Sequence, residues 1–360
     1  MKQKHTFPKA DSALSHGVTR RGFLTTLALL AVGNSLPACS AGKSDKTTLP
    51  ECPDLRFRKD GKFKIVQLTD THVIAGDERS SRALQNVAEM LDVEKPDLVI
   101  HTGDIIFGRP ARDSFQQILS LIGERRIPWA VALGNHDGQF GLSRQEAYDF
   151  IRTLPYNINT QQKVGVSGDS NDIITLSTRR GRPERMLCLF DSHDEVKYEG
   201  KTSYASLEMD QVDWFEQQAC RLARQNKGKA LPTLIFQHIP PAEFTEALAD
   251  KDHHRMTGNQ KEKVCSPSFN NGTFTRIMSH PEVEAIFCGH DHDNDYAMHW
   301  HGCHFVYGRY SGCDTVYNNL KPNGCRVIEL EQGKPGFRTY IRLFGGNTEQ
   351  EVVVPGGFKI

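Results

Sequence analysis

Five apolar runs in this chain each end in a short island of side chains suited to binding metal. Phe63-Lys64-Ile65-Val66-Gln67-Leu68 leads to Asp70-Thr71-His72, and Leu98-Val99-Ile100 leads to Gly103-Asp104. Trp129-Ala130-Val131-Ala132-Leu133 leads to Gly134-Asn135-His136-Asp137. Leu234-Ile235-Phe236 leads to Gln237-His238, and Val283-Glu284-Ala285-Ile286-Phe287 leads to Gly289-His290-Asp291-His292. Short apolar runs closed by turn residues read as buried strands. In open α/β sheets, ligands bind in the crevice beyond the carboxyl ends of the strands. Taken singly, Asp-x-His or Gly-Asp is more often a turn than a ligand pair. Five islands after five such runs offer more donors than one ion needs, and together they predict a dinuclear metal centre.

Between the runs the apolar spacing becomes helical. Ala83, Leu84, Val87, Met90 and Leu91 predict a helix from about Arg79 to Glu94, ended by Lys95-Pro96. Phe115, Ile118, Leu119 and Ile122 predict another over Asp113 to Glu124, and a third runs from about Ser143 to Thr153. Such alternation makes βαβ units and a sheet with parallel strands. In the middle third, Asp172-Ile173-Ile174-Thr175-Leu176 and Met186-Leu187-Cys188-Leu189-Phe190 predict two strands. A polar turn through Arg179, Arg180, Gly181, Arg182 and Pro183 joins them. A helix from about Asp210 to Arg224 precedes the strand before His238. Strands near 296–308, 325–330 and 337–343 follow without helices between them, which predicts a second, more antiparallel sheet. Residues 243–272 show little regular pattern. Long ordered loops in compact domains are usually functional, and this one lies between two islands, at the expected rim of the site.

The order Asp-x-His, Gly-Asp, Gly-Asn-His-Asp, His and Gly-His-x-His resembles the calcineurin-like metallophosphoesterases, over roughly residues 60–310. Cys265-Ser266-Pro267, Asn270-Asn271-Gly272-Thr273-Phe274 and Gly289-His290-Asp291-His292-Asp293-Asn294-Asp295-Tyr296 look closest to bacterial and plant purple acid phosphatase-like proteins. The resemblance implies an α/β fold of two mixed β-sheets packed face to face, with helices outside. It implies one metal on Asp70, His72, Asp104 and His292 and a second on Asp104, Asn135, His238 and His290, with Asp104 bridging. Mixed nitrogen and oxygen donors suit transition metals such as iron, manganese or zinc and leave the choice among them open. The implied chemistry is phosphate-ester hydrolysis, with metal-activated hydroxide attacking phosphorus in line.

In that scheme His136 is spare and faces the leaving group, while Asp137 either orients its ring or caps a helix. Asn271 and Arg309 are candidate phosphate contacts, since arginine suits bidentate phosphate recognition. His253, His254, His299, His301 and His304 belong to no island. Two positions depart from the purple enzymes. Phe107 stands where those place the iron-binding tyrosine, and His72 stands where they have no histidine ligand.

Thr19-Arg20-Arg21-Gly22-Phe23-Leu24 resembles a twin-arginine export address, and the apolar run over 24–32 behind it is too short to span a bilayer. Leu36-Pro37-Ala38-Cys39 looks like a lipoprotein cleavage box with Cys39 as the acylated residue. The expected organisation is a signal peptide over 1–38, a tether over 39–60, the catalytic domain over 61–345 and a tail over 346–360. The expected setting is the bacterial envelope, periplasmic or at the cell surface, with the membrane touched only through the N-terminal lipid. Lys+Arg and Asp+Glu number 44 each, so nothing in the overall charge calls for nucleic acid, and a small phosphorylated substrate is the expected partner. An extracytoplasmic nucleotidase or cyclic-nucleotide phosphodiesterase fits the same centre. A lipid-anchored binding protein with a degenerate site is the non-catalytic alternative. Of the nine cysteines, Cys188 and Cys288 read as buried thiols, and Cys303, Cys313 and Cys325 as disulfide candidates.

Overall fold

Strand β1 (Lys62–Leu68) sets the architecture because it is buried on both faces. Its alternate residues Phe63 and Ile65 point to one core, and Val66 and Leu68 to another. The computed structural model describes residues 55–160, 165–312 and 314–358. The export motif, Cys39 and Cys313 lie outside the described residues.

From β1 the chain forms α1 (Ser81–Glu94), β2 (Leu98–His101), α2 (Ala111–Glu124), β3 (Trp129–Val131) and α3 (Arg144–Ile151). Helix α1 ends where Lys95 turns left-handed at φ 47° ahead of Pro96, and Ser143 with Glu146 closes a capping box on α3. Next come β4 (Asp172–Ser177), β5 (Pro183–Leu189), the hairpin β6 (Glu195–Tyr198) and β7 (Lys201–Tyr204), α4 (Met209–Gln225) and β8 (Thr233–Phe236). The chain continues through α5 (Glu243–Ala249), β9 (Arg255–Thr257), α6 (Thr273–Ile277), β10 (Val283–Cys288), β11 (Ala297–Trp300) and β12 (Cys303–Tyr307). It closes with β13 (Gly324–Glu331), β14 (Phe337–Leu343), β15 (Thr348–Val354) and β16 (Gly357–Phe358).

Among the described residues two seven-stranded sheets form, ordered β16-β15-β14-β13-β1-β2-β3 and β4-β5-β8-β10-β12-β11-β9. β1, β2 and β3 are parallel, as are β5, β8, β10 and β12. Phe63, Ile65, Ile100, Leu189, Leu234 and Phe287 fill the core between the sheets. The outer face of the first sheet packs on α1 and α2 through Val87, Met90, Phe115 and Ile118. The outer face of the second packs on α4, α5 and α6 through Phe215, Phe244 and Ile277. The expected α/β/β/α sandwich is therefore the fold.

Three expectations need correction. The strands after Gly289 do not make one new sheet: β11 and β12 extend the second sheet beside β10, whereas β13 returns to pair antiparallel with β1 in the first. The expected tail over 346–360 contains β15, which continues the meander from β14 and sends Val352 into the core between the sheets. Its polar start, Thr348-Glu349-Gln350-Glu351, hid it from pattern reading. Cys303 and Cys325 cannot serve as disulfide partners for each other, since they lie in different sheets as buried free thiols; Cys188 and Cys288 are buried and free as expected.

Candidate metal centre

The five islands converge because β1, β2 and β3 of one sheet and β8 and β10 of the other end on the same side of the sandwich. His72 Nε2 lies 3.0 Å from His292 Nε2 and 3.8 Å from Asp70 Oδ1, and His292 Nε2 is 3.7 Å from the same oxygen. His238 Nε2 lies 3.2 Å from Asp104 Oδ2 and 3.2 Å from His290 Nδ1. Asp104 Oδ2 also faces His72 Nε2 at 3.9 Å, so one carboxylate oxygen lies between the two groups. Asn135 Oδ1 is buried here with no hydrogen-bond partner, which is costly in a protein interior unless a cation supplies the contact.

The histidines are set up as ligands by what holds their other nitrogens. His292 Nδ1 bonds the carbonyl of Tyr317 at 2.8 Å, and His238 Nδ1 bonds the carbonyl of Thr102 at 2.7 Å. Each Nδ1–H is donated outward, so Nε2 is the nitrogen turned toward the centre. Burial holds His72 and His290 well below the ordinary imidazole range and lowers His292 to about 4, so all three stay neutral, the form that binds metal. Burial also pushes Asp70 up to about 7, with His238 opposing and the charge of Asp104 adding to the rise. His238 runs the other way. Burial opposes its charged form, but the carboxylate of Asp104 prevails and raises it to about 9. These donors fit two metal ions, in the groups Asp70–His72–His292 and Asp104–His238–His290.

The backbone is bent to make this arrangement. Asp70, His72, Asp104 and His290 adopt φ of 54°, 47°, 52° and 81°. Left-handed conformations cost non-glycine residues roughly 1–3 kcal/mol each and persist where the surroundings over-determine them. Here Asp70 N donates to Gly103 O at 3.0 Å and His72 N to Asp104 O at 3.1 Å, lacing the first two islands together. His136 N donates to Asp104 Oδ1 at 2.8 Å, which leaves Oδ2 turned toward His238 and His72. Two glycines permit the close approach. A Cβ at Gly134 would lie 2.1 Å from Asp104 Oδ1, and one at Gly289 would lie 1.9 Å from Thr69 Oγ1.

His136 stands apart from the ligands. It is partly exposed, its Nε2 lies 3.9 Å from Asp104 Oδ2, and its Nδ1 bonds Gln139 Oε1 at 2.7 Å. Asp137 neither orients that ring nor caps a helix. Its buried carboxylate accepts from Asp104 N at 3.0 Å, Ile105 N at 2.8 Å and Gly134 N at 2.8 Å. It is a positioning residue that ties the second island to the third, and Ser143 caps α3 instead. Burial, with the Asp104 charge adding to it, pushes Asp137 up to about 6 against those backbone donors.

Neither proposed phosphate contact survives. Arg309 is buried, pairs with Asp295 and donates to the carbonyl of Pro322 at 2.6 Å, so its fork is spent inside the protein. Asn271 donates to Leu207 O at 2.8 Å and accepts from Thr273 Oγ1 at 2.8 Å, fixing the start of α6. Sequence reasoning missed the aromatic surround. Tyr204 meets His290 edge-on at 4.4 Å between ring centres, and Tyr317 lies 4.5 Å from His292. No local pattern marked either one. The 243–272 segment does reach the rim, through Glu262 on the Tyr317 hydroxyl at 2.8 Å and Cys265 N on Asp291 at 3.2 Å.

Phe107 packs edge-on against His72 and His136, with ring centres at 5.2 Å and 4.9 Å. Burial first, then neighbouring negative charge, keeps the phenols of Tyr204 and Tyr317 above their ordinary range and therefore neutral. Iron-loaded protein is expected to lack the visible phenolate-to-iron band. A purple preparation would show that a tyrosine reaches the metal after all.

A fold with a twin-ligand centre of this kind defines a class, the metal-binding phosphoesterase sandwich. Residues 63–294 match the family model of the calcineurin-like phosphoesterases, and the chain belongs to that family. It is 30% identical to a protein named probable inactive purple acid phosphatase 28 from Arabidopsis thaliana, over 81% of each chain. Phosphatase DCR2 from Saccharomyces cerevisiae is 29% identical, over 82% of this chain and 56% of that one. A solved dimetal phosphatase from Danio rerio shares the fold with a TM-score of 0.51 at 13% identity, covering 77% of this chain and 98% of that one.

Proposed function

We propose that this protein hydrolyses phosphate esters at the paired metal centre. The carrying observation is the convergence of both donor groups on the single oxygen Asp104 Oδ2. Asp70, His72, His292 and Asp104 would hold one ion, and Asp104, Asn135, His238 and His290 the other. When bound, such ions supply Lewis acidity at phosphorus and a water of lowered pKa. The chain's own part is positioning. Thr102 and Tyr317 carbonyls fix the imidazole tautomers, Asp137 holds the Asp104 loop, and His136 presents Nε2 beside the bridge, where it can give a proton to a departing alkoxide.

The word "inactive" in the name of the Arabidopsis relative frames the competing reading, a folded scaffold without turnover. The complete donor set supports activity. Metal analysis combined with a panel of phosphomonoesters and phosphodiesters decides between them: two ions per chain with no turnover on any ester would favour the scaffold. Nucleoside phosphates are the second substrate class worth placing on that panel, because the half-exposed Tyr317 ring beside His292 offers a face on which a base can stack.

The setting we propose is the bacterial envelope, on the strength of Arg20-Arg21, the apolar run behind them and Cys39. Wild-type protein should fractionate with membranes, Cys39→Ala should fail to mature, and Arg20→Lys with Arg21→Lys should stay in the cytoplasm. Unacylated wild-type protein in the cytoplasm would defeat this placement.

A further inference from the structure

At the end of the sandwich opposite the metal centre, an open groove of about 750 Å³ is lined by Thr178, Arg179, Arg180, Arg182, Lys227 and Gln332. Arg56 joins it, its guanidinium donating to the carbonyl of Arg179 at 3.1 Å. Arg182 sits 3.7 Å from Glu184, but among the described residues no carboxylate pairs with Arg179, Arg180 or Lys227. The chain as a whole is neutral, with 44 basic and 44 acidic residues. This cation excess is therefore a property of one place and not of the composition.

We propose that the basic groove formed by Arg179, Arg180, Arg182 and Lys227 is a docking surface for an anionic phospholipid membrane. Topology is the second observation. Fifty-four residues precede the described region, and they join it at Leu55, whose carbonyl accepts from Ser177 N at 2.9 Å, immediately before Thr178 and the arginines. The apolar run Leu24–Val32 and Cys39 lie in that preceding segment. Any attachment they make to a bilayer is tied, through at most about 55 Å of extended chain from Cys39, to the basic end of the domain. The direction of the sheets completes the argument. β5 and β8 run parallel from this groove, starting at Pro183 and Thr233, and His238 follows their far end. A domain seated by this face holds its metal centre away from the bilayer and open to solutes. Among the described residues no aromatic side chain lines the groove, whereas single-stranded nucleic acid binders use an aromatic stacking platform.

The test uses the full chain, titrated with vesicles of phosphatidylcholine alone and of phosphatidylcholine with phosphatidylglycerol. Insertion of the N-terminal segment contributes to both, so the ratio of the two partition coefficients isolates the groove. Each basic residue near an anionic leaflet is worth about fivefold in affinity. The ratio is therefore expected to be on the order of 10² or more, and to collapse toward one in Arg179→Glu/Arg180→Glu/Lys227→Glu. The milder Arg179→Gln/Arg180→Gln should lower it about 25-fold, and high salt should erase it in the wild type. Equal partition onto both vesicle types would overturn the proposal. So would a ratio unchanged in the charge-reversed protein, or binding of single-stranded RNA that depends on the same residues without any preference for anionic vesicles. Hydrolysis enters none of these readouts, so the outcome is independent of the function proposed for the metal centre.

Discussion

Asp104→Ala is expected to lose both bound metal and hydrolysis while keeping the fold. Asp104 is the residue whose Oδ2 faces His238 at 3.2 Å and His72 at 3.9 Å, so its removal takes a donor from each site at once. It also removes the negative charge that offsets repulsion between two cations, which in such centres sit roughly 3.5–4 Å apart. Elemental analysis should show fewer than two ions per chain, and turnover should fall by at least about 10³-fold, beyond the loss of a single electrostatic donor. Asp104→Asn separates charge from shape. Asparagine tolerates the left-handed backbone at φ 52°, and its amide oxygen can still accept from His136 N. Metal should nonetheless be lost, with circular dichroism unchanged. Two ions per chain and full turnover in the alanine variant would remove the bridging assignment.

The candidate donors were legible because each island is contiguous in sequence and follows a buried strand, so a local pattern carries a tertiary consequence. Gly134 and Gly289 are part of that pattern for a steric reason, the approach of Asp104 and Thr69 within a Cβ's reach. What lay beyond the islands was not legible. The groups that hold His238 and His292 are the backbone carbonyls of Thr102 and Tyr317, and any residue supplies a carbonyl. Tyr204 arrives on a hairpin whose strands have exposed, polar sequence. Asp137 misled because adjacency in sequence suggested its neighbour's ring, whereas its side chain turns back to the Gly103–Asp104 loop. Arg309 misled by type: arginine is the phosphate residue, but Asp295, at the end of the polar stretch after Gly289 and two strands earlier in the chain, claims it. The same limit governs the sheets. Alternation identifies β13 and β14 as strands, but nothing in their pattern says that β13 must cross back to β1.

Replacing His136 separates catalysis from metal binding. Its ring contributes to neither donor group, and its Nδ1 is engaged by Gln139 while Nε2 points past Asp104 Oδ2 at 3.9 Å. His136→Ala leaves Asp70, His72, Asp104, Asn135, His238, His290 and His292 in place, and its backbone N–H still donates to Asp104 Oδ1. Metal content should therefore stay at the wild-type value. Turnover should fall by roughly 10²–10⁴-fold, the range for loss of a general acid. The size of the loss should depend on the leaving group. An alkoxide departs as a strong base and needs the proton, so alkyl phosphates should suffer most. Nitrophenolate is stable as an anion, so nitrophenyl esters should suffer least. Gln139→Ala should give a smaller loss of the same kind, since it frees the ring without removing it. Equal losses on both ester classes would show that His136 stabilises charge or packs the site without donating a proton, and loss of metal would make it a ligand.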